Sequence, residues 1–157
     1  MSFKSIMRPI FILSIGLLLS VGCAAPVDGN DSGSLKVVDY GIYGPDRNNP
    51  ELLIQTSKVP AVLGTVFGIR ARFFGDSPEL YTYKWSFPEM RNPADGRVWT
   101  EMIATQELEV GGVYPFLVRI NNDWEAVPGD WTIQMLNGER VVLEKTFRVH
   151  ASPPQYD

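Results

Sequence analysis

Apolar and polar residues alternate with a period of two along most of the chain beyond residue 34. Tyr81, Tyr83, Trp85 and Phe87 fall on one side of a segment whose other side carries Thr82, Lys84 and Ser86. Phe67, Ile69, Ala71 and Phe73 form one face of an earlier segment, with Arg70 and Arg72 behind them. Tyr114, Phe116, Val118 and Ile120 repeat the pattern further on. Successive side chains of a strand point to opposite faces, so this alternation marks strands buried on one side. Pro115 lacks an amide donor and belongs at a strand start or on an edge strand.

The closing stretch reads as a hairpin. Trp131, Ile133 and Met135 alternate with Thr132 and Gln134, and Leu143, Phe147 and Val149 continue an inward face on the return. Asn137-Gly138 between them suits a tight turn in which both residues take positive φ. Strands are expected over Leu35–Tyr43, Val66–Phe74, Tyr81–Phe87, Tyr114–Asn121, Trp131–Leu136 and Arg140–Val149, with a short eighth candidate over Leu52–Thr56. The stretch Val98–Val110 fits one long strand, two strands, or a short helix around Glu101–Leu108. No helical period is sustained over ten residues. Seven to eight strands over residues 35–150 predict an all-β, two-sheet antiparallel sandwich, with Trp85 as its central aromatic.

The first 23 residues differ in kind. Lys4 and Arg8 are the only charges before Cys23, and an apolar run from Ile10 to Leu19 follows them. A basic start, a short apolar run and small residues before a cut compose a secretory signal, here a signal-peptide helix over residues 1–22. The run is about half the roughly 20 residues a spanning helix needs. Ser20-Val21-Gly22-Cys23 resembles the lipobox of bacterial lipoproteins, with Ser20 where leucine is usual. The resemblance implies cleavage between Gly22 and Cys23, a diacylglycerol thioether on Cys23, and a chain held on a membrane by lipid. Two or more acyl chains give lasting attachment, at about 0.8 kcal/mol per buried methylene. Ala24 stands where inner-membrane lipoproteins often carry Asp, which favours the outer membrane, facing the periplasm. Residues 23–34 then read as a lipidated tether and 151–157 as a disordered tail.

Composition narrows the function. Removing 22 of 157 residues leaves 135, enough for one domain. The chain's 14 basic residues include Lys4 and Arg8, so 12 remain against 18 acidic ones. An acidic chain without a basic cluster is a poor nucleic-acid ligand. Cys23 is the sole cysteine, so no disulfide can form within the chain.

Pro128-Gly129-Asp130-Trp131-Thr132, Asn137-Gly138 and the spaced Leu143, Phe147 and Val149 resemble the closing hairpin of bacterial extracytoplasmic immunoglobulin-like domains. With Tyr40-Gly41-Ile42-Tyr43 and Gly64-Thr65-Val66-Phe67-Gly68, residues from about Val37 to Val149 resemble domain-of-unknown-function family 3859. The resemblance implies an immunoglobulin-like sandwich and lends no catalytic residue.

Catalytic and metal chemistry find little to stand on. His150 is the only histidine and adjoins the tail, so a base for a nucleophilic triad is lacking. Zinc sites need clustered Cys, His or carboxylate ligands, and no metal or other cofactor is expected. Asp28, Asn30, Ser32, Gly33 and Asp39 share offsets with a calcium loop, but no helices flank them, and a linker is the preferred reading. Glu107 with Glu109, about 7 Å apart on a strand, and Asp123 with Glu125 read as solvated pairs. Trp99 and Trp124 lie in less regular segments, and Trp124 is surrounded by polar residues. Each is a candidate contact residue, a core cap being the plainer reading for Trp124. The expectation is a non-enzymatic envelope lipoprotein whose sandwich docks on another envelope protein through an edge strand or end loops. The alternative is a carbohydrate- or peptidoglycan-binding module using Trp124 or Trp99.

Overall fold

The computed structural model describes residues 33–46 and 48–151, which form nine strands and one short 3-10 helix. The signal segment, Gly22, Cys23 and the tail beyond Ala151 lie outside the described residues. In chain order the strands are β1 Ser34–Tyr43, β2 Leu52–Ile54, β3 Lys58–Ala61, β4 Val66–Phe74, β5 Glu79–Arg91, β6 Val98–Leu108, β7 Val113–Arg119, β8 Gly129–Asn137 and β9 Arg140–Ala151. The strand region thus begins one residue before the expected domain start and ends one beyond its expected end.

Two sheets form the sandwich. One runs β2-β1-β4-β7, and the other β3-β9-β8-β5-β6. Every pairing is antiparallel except that of β3 with β9, which is parallel. The second sheet is therefore mixed. Strand β3 was not foreseen: four residues with a central proline carry no alternation, and their partner lies some ninety positions away. The undecided stretch after Val98 resolves as one long strand, β6, with no helical turn.

The faces predicted from alternation are the faces that pack. Phe67, Ile69, Ala71 and Phe73 of β4 are fully buried, as are Tyr81 and Trp85 of β5. Phe67 sits at the centre, its ring meeting Trp85, Trp131 and Phe147 at 5.8, 5.5 and 5.5 Å in edge-on geometry. Phe73 meets Tyr81 at 5.6 Å, and Tyr83 meets Phe116 at 5.4 Å, so aromatic contacts join the sheets along their length. Edge-on pairs add about 0.5–1.5 kcal/mol each beyond the area they bury. With no disulfide among the described residues, this ring cluster is the central tie.

Local chemistry sets the irregularities. The β8–β9 turn has Gly138 and Glu139 at its centre, because Asn137 already pairs with Arg140. Only Gly138 takes positive φ, at 60°, so the hairpin needs one left-handed residue first, as in a II′ turn, and not two. Pro115 pairs with Arg70 on β7, an edge strand, as its missing donor requires. Gly68 permits that edge to close: a Cβ there would stand 2.3 Å from the Phe116 carbonyl oxygen.

Candidate functional site

Strand β5 is the hinge of the site. It pairs with β8 from Thr82 to Ser86 and stops there, while its pairing with β6 shifts register between Ser86 and Met90. Pro88 falls inside that interval and cannot donate to either neighbour. Beyond it, β5 and β6 remain paired after the last β5–β8 pair. An open cleft of about 480 Å³ lies at this end.

Three groups of residues line it. From the second sheet come Phe87, Met90, Trp99, Met102 and Trp131. The edge strand β7 supplies Pro115, Leu117, Val118 and Arg119. The 3-10 helix Asp123–Glu125 contributes Trp124 and Glu125, and Asp46 closes the rim. Trp131 is anchored by its Nε1, which donates to the Val127 carbonyl at 3.1 Å, and its ring lies 5.0 Å from Phe87. The cleft floor is therefore a flank of the aromatic core.

The structure brings Trp99 and Trp124 to this one cleft. Trp99 is the second residue of β6 and is 44% exposed. Trp124 is half-buried and packs against the core, the placement expected of a cap. Glu125 is occupied structurally: its carboxylate accepts from the Asn121 amide at 2.6 Å, the Asn122 amide at 3.1 Å and the Asn122 side-chain amide at 3.0 Å. It holds the helix and Trp124 in place. Asp123 is exposed and is not drawn into a catalytic pair with it.

Arg119 was missed in the sequence. Its Nη2 donates to the Pro45 carbonyl at 2.5 Å, and its Nε is buried without a hydrogen-bond partner. No carboxylate among the described residues pairs with it. The signal for this wall was Leu117, an apolar residue on the side of β7 opposite Phe116, but a single apolar residue facing outward is commonplace.

The remaining candidates sit apart. His150 is exposed on β9, opposite Pro60 of β3. Glu107 and Glu109 are exposed near the far end of β6. Asp28, Asn30 and Ser32 lie outside the described residues. Gly33 and Asp39 are engaged elsewhere: the Gly33 carbonyl accepts from the Tyr81 hydroxyl at 2.8 Å, and Asp39 is bound by Arg70 and Tyr43. No cluster of metal-binding side chains occurs among the described residues.

The Asp39, Tyr43 and Arg70 cluster is the strongest electrostatic feature. The Arg70 hydrogen bonds hold the Asp39 carboxyl below its usual range, with the Tyr43 hydroxyl assisting at 2.6 Å against the cost of burial. Burial and the neighbouring carboxylate raise the Tyr43 hydroxyl. Arg70 is bonded to the Pro50 carbonyl as well, so the cluster fastens the segment between β1 and β2 to the sheet. Its groups are paired with one another, and it is a structural tie.

The chain matches the family described as Domain of unknown function (DUF3859) over residues 32–149, and it belongs to that family. Sixteen chains of solved structures match it. One is an immunoglobulin-like protein from Pseudomonas aeruginosa, 27% identical, with a TM-score of 0.64, the match covering 78% of this chain and 99% of that one. No curated protein matches. The family and the immunoglobulin-like sandwich implied by the hairpin motifs are thereby shown.

Proposed function

We propose that this member of the family is a non-catalytic envelope lipoprotein, anchored through lipid on Cys23, whose sandwich captures an extended segment of a partner protein along β6. One observation carries the reading: β6 is the longest of the four strands that end the two sheets, and it is open along its whole outer side. The other three terminal strands are short or interrupted by proline, features that disfavour strand addition. Strand β2 has three residues, β3 has four including Pro60, and β7 contains Pro115. Strand β6 has 11 residues and neither proline nor glycine. Val98, Trp99, Met102 and Ile103 along it are 46%, 44%, 39% and 57% exposed. Such an edge offers unpaired amides and carbonyls for strand addition, and side-chain pockets supply selectivity. Here Trp99 and Met102 also line the cleft, so a strand added to β6 would set a side chain into it.

Photo-crosslinking in intact cells tests this. A crosslinker at position 103 should yield a protein adduct that one at Glu139, on the β8–β9 turn, does not. Adducts absent from 103, or equal at both positions, would refute it. A second reading rests on Trp99 and Trp124 sharing the cleft: a cell-wall saccharide stacked between them. A muropeptide titration that shifts tryptophan emission, and is abolished by Trp99→Ala, would favour that reading.

A further inference from the structure

We infer that the cleft beside β6 recognises the free carboxyl terminus of the captured segment, with Arg119 as its anion contact and the Trp99–Met102 wall holding an apolar final side chain. The inference rests on strand addition to β6 and adds the chemistry and polarity of what is added.

Polarity comes first. Strand β6 runs from Val98 to Leu108. Antiparallel pairing is the more stable mode per residue, and the sheet already uses it between β5 and β6. A segment added antiparallel to β6 runs from beside Leu108 towards Val98, so its carboxyl end arrives at Trp99. The cleft opens at that end, since Trp99 and Met102 line it and Leu108 does not.

Charge comes second. Arg119 is the only cationic residue lining the cleft among the described residues. Its charge meets one backbone carbonyl, its Nε is enclosed without a partner, and no carboxylate pairs with it among the described residues. A guanidinium without a carboxylate partner beside apolar walls is suited to a carboxylate, which its remaining terminal N–H groups can bind. The two acids of the lining do not already serve it. Glu125 is held by three donors from Asn121 and Asn122, and Asp46 accepts from the Asn48 amide at 2.9 Å. An internal acidic side chain would supply the same charge, but the open end of the cleft and the direction of the added strand favour a terminus.

The test uses the full chain in detergent micelles, immobilised, and a pool of randomised, N-acetylated decapeptides made with free carboxyl termini or as amides. The free acids should be retained at least about tenfold more than the amides, as expected for losing one charge-assisted contact of about 1.4 kcal/mol. Retained acids should be enriched in large apolar final residues. Arg119→Gln should remove the preference for acids, and Ile103→Lys should remove retention of both pools. Equal retention of acids and amides by the unaltered chain would overturn the carboxylate assignment and leave strand capture standing. Retention of neither pool would overturn both. The comparison on the unaltered chain decides the matter even where Arg119→Gln fails to fold.

Discussion

Trp85 and Trp131 offer a matched pair that separates packing from hydrogen bonding. Both indoles are buried, at 0% and 1% exposure, both meet Phe67, and they occupy neighbouring strands. They differ at one atom. The Trp131 Nε1 donates to Val127, whereas the Trp85 Nε1 is buried without a partner. Replacing either with phenylalanine removes a similar apolar volume and leaves a similar cavity, so those costs largely cancel between them. Trp131→Phe also loses a hydrogen bond, about 1 kcal/mol, while Trp85→Phe relieves an unsatisfied donor, about 1 kcal/mol or more. The expected difference is about 2 kcal/mol, with Trp131→Phe the less stable. Urea unfolding followed by far-ultraviolet circular dichroism measures it. For an m-value of about 1.5 kcal/mol per molar, the two midpoints should lie more than about 1 M apart. Equal midpoints, or Trp85→Phe the weaker, would refute the assignment of the two indole nitrogens.

Two further outcomes follow from the same physical reasoning. The Asp39 carboxyl is lowered in the folded chain, so its stabilisation is complete above the unfolded value near 3.8 and is lost as pH falls below it. Asp39→Asn should therefore cost about 2 kcal/mol near neutrality, since it leaves the half-buried Arg70 uncompensated, and the gap from the parent should shrink in urea titrations towards pH 2. A gap independent of pH would show that the loss is steric and not ionic. Cys23→Ser should move the domain from the membrane pellet to the soluble fraction of cells; continued sedimentation with membranes would remove the lipid anchor from the functional reading.

Much of the fold was legible because burial on one face writes itself as a period of two. The inward residues of β4, β5, β7 and β8 were read correctly from alternation, and Trp85 was placed in the core by the same rule. The hairpin was legible too, though not its turn: Asn-Gly suits two left-handed residues, but Asn137 pairs with Arg140 and the turn is centred on Gly138 and Glu139. Strand β3 left no trace, because its parallel pairing with β9 depends on a partner distant in sequence.

The candidate site divides in the same manner. Trp99 and Trp124 stood out as large aromatics in irregular surroundings, and sequence alone determined that they were unusual. Tertiary structure decided that they share a cleft, because the paired end of β5 and β6 beyond Pro88 lies beside β7 and the 3-10 helix. It also decided the importance of Arg119, whose want of a counterion is a property of its surroundings and of no motif. Residue pattern fixes which face of a strand turns inward, since that depends on neighbours two positions away. Which strand is left at an edge, and what charge is left unpaired beside it, depends on how the sheets are ordered, and only the assembled chain determines that.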